Sequence, residues 1–144
     1  MNLAFWDIES SSAITDFGSI IEIGGILVDE KFEEKDRFNL RCRLPDGEIP
    51  QAMALIVNKT SIDKLTKVNL SHYQMLGEIE KIFKKWSPAI FLGWSNIGFD
   101  DEMLRKEFFK GIRYPYLTNA SPNKRHDGIN IARAAYALDP KVLN

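Results

Sequence analysis

The fold of the chain is decided by residues 3–9, which are Leu3-Ala4-Phe5-Trp6-Asp7-Ile8-Glu9. The stretch is rich in strand-forming residues and its acids occupy alternate positions, a pattern that predicts a β-strand. Side chains two positions apart point to the same face of a strand. We therefore expect Asp7 and Glu9 to lie side by side, on one face with Leu3 and Phe5, while the apolar residues between them face the opposite way.

Two further strand patterns follow in the first third of the chain. Residues 20–28 form a long apolar run that is typical of a central strand, and the segment from Phe32 to Leu44 alternates in part between apolar and polar residues. A turn at residues 29–31 separates them, so we expect them to pair antiparallel. Residues 3–44 are thus predicted to form a three-stranded antiparallel meander.

Helical patterns dominate the rest of the chain. Ser71, with Gln74 three residues later, predicts a capping box at the start of a long helix. Residues 89–93 are expected to form a buried parallel strand, residues 96–110 to lead into a second helix, and residues 129–138 to form a third. A meander followed by strands and helices predicts an α/β protein with a mixed sheet flanked by helices. Such a sheet needs a further element to cover its second face.

The two acids at the end of the first strand, Asp7 and Glu9, are a costly choice for stability alone. Like charges held close together repel, and burying them costs free energy unless a positive charge offsets it. A divalent cation would do so, and ligands that are all oxygen atoms indicate Mg²⁺ or Mn²⁺. The alternative is a solvated strand end, because such pairs also arise by chance: Asp100 and Glu102 have the same spacing.

A second polar segment, Gly93 to Asp101, joins a predicted strand to a predicted helix. Acids in the first turn of a helix are favoured by the helix dipole, so Asp100 and Asp101 have a simple structural explanation. The alternative is that one of them projects toward the strand that carries Asp7 and Glu9. Three carboxylates that converge from separate elements can hold two metal ions about 3.5–4 Å apart.

The bulk composition is that of an ordinary globular domain. The chain has 144 residues, of which 44% are hydrophobic and 27% charged, and this length is sufficient for one domain with a core. No apolar run is long enough to span a bilayer, and the N-terminus lacks the basic segment of a signal peptide. We therefore expect a cytoplasmic protein with no membrane contact. The single cysteine, Cys42, is expected to be a buried free thiol, and the net charge of −1 neither favours nor excludes nucleic acid.

The motifs resemble those of the DEDD (DnaQ-like) exonuclease superfamily. Phe5-Trp6-Asp7-Ile8-Glu9 resembles its first motif and Asn96-Ile97-Gly98-Phe99-Asp100 its second, while residues 20–26 look like its second strand. More narrowly, residues 93–109 and residues 125–138 are similar to bacterial exonuclease I. The resemblance covers nearly the whole chain, with the motifs in the expected order.

The resemblance implies a ribonuclease-H-like fold and a 3′→5′ exonuclease that uses two Mg²⁺ ions, with Mn²⁺ as an alternative, to hydrolyse single-stranded DNA, used in DNA repair or recombination. The catalytic residues that it implies are the metal-binding acids Asp7, Glu9 and Asp100. The substrate-binding residues that it implies are Ser10, Asn96 and Phe99. Asn96 would either orient its loop or touch the substrate, whereas Trp94 and Phe99 would either stack on a base or belong to the core.

The third motif of the superfamily is missing from the sequence. That motif places a general-base His or Tyr four or five residues before an Asp, and no His or Tyr of this chain has an Asp at that distance. His126 is therefore expected to be exposed or structural, and His72, at a predicted helix start, is expected to be solvated. We expect residues 1–144 to be the N-terminal part of a single exonuclease domain, incomplete at its C-terminal end and nearly inactive alone.

Three other functions stay open. The first is a 3′→5′ exoribonuclease, since no residue pattern distinguishes RNA from DNA. The second is a non-catalytic module that keeps the fold to bind nucleic acid or another protein, which the missing third motif favours and the retained acids oppose. The third, a purely structural domain, fits least well because acids so placed would only cost stability.

Overall fold

The structure of the protein, a computed structural model, describes residues 1–142. Within this range the helices and strands follow one another as β1 Asn2–Ser10, β2 Ile20–Val28, β3 Glu34–Arg41, α1 Ala52–Val57, α2 Ile62–Thr66, α3 His72–Trp86, β4 Ala89–Gly93, α4 Asp100–Lys110, β5 Lys124–Asp127 and α5 Gly128–Leu138. None of these helices is long and apolar enough to cross a membrane.

The strands form one mixed sheet in the order β3-β2-β1-β4-β5. β1 pairs antiparallel with β2, and β2 antiparallel with β3, so the predicted meander is confirmed. β4 then returns parallel to β1, and β5 parallel to β4, as strands joined by helical crossovers do. The predicted fold class, a mixed sheet of a meander plus parallel strands flanked by helices, is confirmed.

The core lies between one face of the sheet and the helices α3 and α4. The alternating side chains Ala4, Trp6 and Ile8 of β1 are buried there, as the sequence pattern predicts. The predicted capping box at Ser71 begins α3, and the helix buries residues at helical spacing. The opposite face of β1 is only partly covered, and Phe5 on that face remains 40% exposed.

Two details of the predicted elements were wrong. The third strand was predicted from Phe32 to Leu44, but β3 is shorter, because Phe32 lies in a turn with a φ of 62° and is 70% exposed. The helix α1 was also missed, since all six residues of Ala52–Val57 are apolar and show no helical period. Cys42 is buried and free, as expected, and its burial raises the pKa of the thiol to about 12.

Replacing the core residue Ile79 with valine is expected to lower the free energy of unfolding by about 0.5–1.5 kcal/mol. Ile79 lies on α3, is completely buried and belongs to the main core, so the lost methylene leaves a gap. The half-exposed Ile131 of α5 offers a matched control. Ile131→Val is expected to stay within about 0.5 kcal/mol of the parent in urea unfolding, and equal losses for the two variants would contradict this placement of the core.

Candidate active site

The acids of β1 lie at the end of the strand, where its pairing with β2 becomes irregular. Asp7 is exposed and Glu9 half-buried, and both occupy the face opposite to the core. The ladder between β1 and β2 shifts register between Glu9 and Ser10, a β-bulge of the kind that often re-aims side chains beside functional sites. The residue paired with Asp7 is Gly24, so no side chain from β2 covers the carboxylate.

Asp100, the first residue of α4, lies against the same strand. It is only 5% exposed, and its Oδ1 accepts a hydrogen bond from the backbone N–H of Ile8 at 3.3 Å. Its carboxyl group is also within hydrogen-bonding reach of Asp7. Burial, together with the charge of Asp7, raises the pKa of Asp100 to about 7. Two acids that are far apart in sequence therefore share one site and repel each other there.

Glu9 belongs to the same charged region but is not drawn into one cluster with the other two acids. Burial raises the pKa of Glu9, the charges of Asp7 and Glu22 add to the rise, and Arg41 of β3 opposes it. Within residues 1–142, no group of three or more Asp, Glu, His or Cys side chains is assembled closely enough to hold a metal ion. The structure thus brings Asp7 and Asp100 together, with Glu9 beside Asp7 as a neighbour.

These acids fit a divalent cation by their chemistry. They offer only oxygen donors, the set that Mg²⁺ and Mn²⁺ prefer. Burial and then the charge of Asp7 raise the pKa of Asp100, and no positively charged side chain of the described residues lowers it. A Cβ built on Gly24 would make ordinary contacts with Asn39 at 3.5 Å and Phe38 at 3.7 Å, and would meet no atom of Asp7 within 4 Å.

Asp7 and Glu9 border a cleft of about 820 Å³ on the partly covered face of the sheet, whereas Asp100 does not line it. The cleft is also lined by Phe5, Ile26 and Trp94, and Trp94 is 66% exposed. Trp94 is therefore not a core residue. Phe99, by contrast, is half-buried and packs against the main core. Of the two roles that the sequence allows for these aromatic residues, the position of Trp94 fits stacking on a base and that of Phe99 fits the core.

Two of the residues predicted to bind substrate point inward. Asn96 is completely buried, and its Nδ2 donates to Oδ2 of Asp101 at 2.6 Å. Ser10 is 7% exposed, and its Oγ donates to the carbonyl oxygen of Ser12 at 2.7 Å. In this conformation the side chain of Asn96 is inaccessible to a substrate. Of its two predicted roles, the geometry favours that of orienting the loop.

Sequence reasoning missed the buried acids that surround the site. The sequence predicts an ordinary helix-start acid at Asp101, yet this residue is 3% exposed and is held by Asn96, by Thr118 at 3.2 Å and by Arg125 at 3.7 Å. Burial raises its pKa to about 6, although Arg125 opposes the rise. Asp127 at the end of β5 is also buried. The only local indication of these buried acids in the sequence was the pair of adjacent aspartates, Asp100 and Asp101, that follows Phe99.

Comparison with known sequences gives relatives of one kind. The chain is 28% identical over 147 residues to the exodeoxyribonuclease I of Buchnera aphidicola subsp. Schizaphis graminum, an alignment that covers 99% of this chain and 30% of that protein. It is 28% identical over 104 residues to the exodeoxyribonuclease I of Escherichia coli, covering 72% of this chain and 22% of that protein. The chain therefore spans less than a third of the length of these relatives. No protein-family model matches it.

Comparison with solved structures gives relatives of the same kind as the sequence comparison. Escherichia coli exonuclease I in complex with a dT13 oligonucleotide superposes with a TM-score of 0.90, at 23% identity, over 99% of this chain and 31% of that one. A product-bound structure of exonuclease I gives the same TM-score over 33% of its length. The chain is therefore similar in sequence and in fold to bacterial exodeoxyribonuclease I, and it shares the ribonuclease-H-like arrangement that the motifs implied.

Proposed function

We propose that this chain is part of a metal-dependent 3′→5′ exonuclease that hydrolyses phosphodiester bonds of single-stranded DNA and releases nucleotides. The observation that carries the proposal is the approach of Asp100, at the start of α4, to Asp7 at the end of β1, at the border of an open cleft. A stable domain gains nothing from bringing two acids together, whereas a metal-dependent hydrolase requires it.

The metal ligands in this proposal are Asp7, Glu9 and Asp100, and Mg²⁺ is the expected ion, with Mn²⁺ as a substitute. Two such ions would activate a water molecule and stabilise the leaving oxygen of the cleaved bond. The protein would hold Asp100 through the N–H of Ile8 and would place Gly24, which has no side chain, opposite Asp7 in the sheet. Glu9, on the same face, would lie next to the terminal nucleotide.

A single DNA strand is the proposed substrate because of the cleft and of what the relatives bind. The cleft is wide enough for a nucleotide, and the exposed ring of Trp94 offers a surface on which a base can stack, an interaction of about 1–3 kcal/mol. Escherichia coli exonuclease I has been solved with dT13 and dA16 oligonucleotides. Ser10 and Phe99 remain predicted substrate contacts. Asn96 is proposed to orient the loop between β4 and α4.

Residues 1–144 are proposed to be the N-terminal part of one exonuclease domain. The partly covered sheet face is suited to a further element, and the sequence contains no third motif. Without a general base these residues alone are expected to be nearly inactive, because such a base contributes about 10²–10⁴-fold to the rate.

The assay is the shortening of a 5′-labelled single-stranded oligodeoxynucleotide by the purified chain in Mg²⁺. We expect a slow ladder of products that lose nucleotides from the 3′ end, at a turnover far below the usual range of about 1–10³ s⁻¹. EDTA and the variant Asp7→Asn are expected to abolish it. Loss of nucleotides from the 5′ end, or cleavage that survives both controls, would contradict the proposal.

Two other outcomes distinguish the remaining candidates. Retained binding of the oligonucleotide with no metal-dependent shortening would favour a non-catalytic binding module, which the absence of the third motif supports. Faster shortening of a matched oligoribonucleotide would identify an exoribonuclease.

A further inference from the structure

Asp127 is a buried carboxylate at the end of β5 that accepts hydrogen bonds from three backbone N–H groups. Its Oδ1 accepts from Ser95 at 2.9 Å and from Ile129 at 3.1 Å, and its Oδ2 accepts from Ile97 at 3.5 Å, the weakest of the three. The bond from Ile129 caps α5. The other two belong to the loop between β4 and α4, 32 and 30 residues away in sequence. Helix capping alone does not explain them.

This loop, residues 94–97, is tightly wound and depends on support from outside. Ser95 has a φ of 58°, in the left-handed region that residues other than glycine rarely adopt. A Cβ on Gly93 would lie 2.6 Å from the Cβ of Asn96, so the loop folds directly over the end of β4. The bonds to Asp127 therefore stabilise a backbone conformation that its own residues disfavour.

The loop in turn fixes the first residues of α4. The carbonyl oxygen of Asn96 accepts hydrogen bonds from the backbone N–H of Phe99 at 3.2 Å and of Asp101 at 3.0 Å. The side chain of Asn96 also donates to Asp101. A displacement of the loop must therefore move the start of the helix, and with it Asp100.

We propose that Asp127 is a positioning residue, which holds the loop at Ser95 and Ile97 and thereby directs Asp100 toward Asp7 on β1. The inference rests on the proposed function, in which Asp100 and Asp7 bind the metal. Its structural consequence can nevertheless be measured without a metal. Asp100 accepts a hydrogen bond from the N–H of Ile8 only while the start of α4 is held in place.

The experiment is nitrogen-15 NMR of the metal-free protein, with the amide signal of Ile8 as the reporter. Asp100→Ala defines the signal when the acceptor is lost. In Asp127→Ala we expect the Ile8 amide to move most of the way toward that position, and its exchange with solvent to become faster. Ser71→Ala, which removes the side-chain cap of α3 at a remote site, is the matched control and is expected to leave Ile8 unchanged.

A second variant keeps the test decisive if Asp127→Ala does not fold. Asp127→Asn can still accept from Ser95 and Ile129 through one oxygen, but it presents an NH₂ group to the N–H of Ile97. We expect it to shift the Ile8 amide in the same direction by a smaller amount. If Ile8 keeps its wild-type signal in the folded Asp127 variants, Asp127 only caps α5 and the proposal is wrong.

The metal provides a second measurement that separates this proposal from the proposed function. Asp127→Ala is expected to raise the Kd for Mn²⁺ about 10-fold or more, as loss of a group that orients a ligand does, while Ser71→Ala leaves it unchanged. An unchanged Kd in Asp127→Ala would overturn the proposal. If the wild-type protein itself binds no Mn²⁺, the proposed function fails, and the Ile8 amide still decides whether Asp127 positions Asp100.

Discussion

Asp100→Asn is expected to weaken the binding of Mn²⁺ to this protein by about 100-fold or more. Loss of a group that merely orients a ligand already costs about 10–100-fold in affinity, and Asp100 is proposed as a ligand itself. The substitution keeps the size of the side chain and an oxygen that can accept from Ile8, so the fold around the start of α4 is preserved. The measurement is a titration of the metal-free protein with Mn²⁺, in which the electron paramagnetic resonance signal of the free ion reports how much Mn²⁺ remains unbound.

The two other proposed ligands and one remote acid complete the comparison. Asp7→Asn is expected to have an effect as large as that of Asp100→Asn, because the two carboxyl groups lie within reach of each other. Glu9→Gln is expected to have a smaller effect, since Glu9 lies beside this pair and is not clustered with it. Asp63→Asn removes an exposed acid that pairs with Lys67 and is expected to change nothing. If Asp7→Asn and Asp100→Asn bind Mn²⁺ as the wild type does, the metal site is elsewhere or absent.

The sequence predicted the parts of the fold that depend on local pattern. The alternation in residues 3–9 identified which side chains of β1 face the core, because the period of a strand leaves little choice once one face is apolar. The capping box at Ser71 identified the start of α3, since both of its hydrogen bonds lie within one turn. The helix α1 escaped prediction because all six of its residues are apolar, so no polar face alternates with an apolar one.

In the candidate site too, only the features that depend on local pattern could be predicted from the sequence. That Asp7 and Glu9 share a face follows from their spacing, whereas the approach of Asp100 rested on a resemblance of motifs. The buried bonds of Asp127 to a loop of β4 depend on the pairing of Gly93 with Asp127 in the sheet, which no local pattern encodes. The expectation that His72 is solvated was wrong: its side chain is 19% exposed and pairs with the buried Glu107 of α4, a contact between two helices that no local pattern encodes.

In the absence of metal, Asp100 is expected to contribute a loss of stability to the folded protein as the pH rises from about 4 to about 7. In the unfolded chain this carboxyl group ionises near its usual pKa of 3.8, whereas burial and Asp7 hold its pKa at about 7 in the folded protein. Between these values the folded state binds more protons than the unfolded state, so the free energy of unfolding falls with rising pH. The loss is at most about 4 kcal/mol. Asp101, with a pKa of about 6, adds a smaller contribution that is complete at a lower pH.

The difference in the free energy of unfolding between wild type and Asp100→Asn isolates the contribution of Asp100. Other carboxyl groups, whose pKa is lowered by ion pairs, act in the opposite direction, but they are the same in both proteins and cancel. Urea unfolding in EDTA is expected to give similar stabilities for the two proteins near pH 4 and a more stable variant at pH 8. Adding Mn²⁺ at pH 8 is expected to stabilise the wild type and to leave the variant nearly unchanged, since ligand binding to the folded state adds to its stability. A variant that is no more stable than the wild type at pH 8 would mean that Asp100 and Asp7 do not strain the fold. There would then be no excess of negative charge between them for a cation to neutralise.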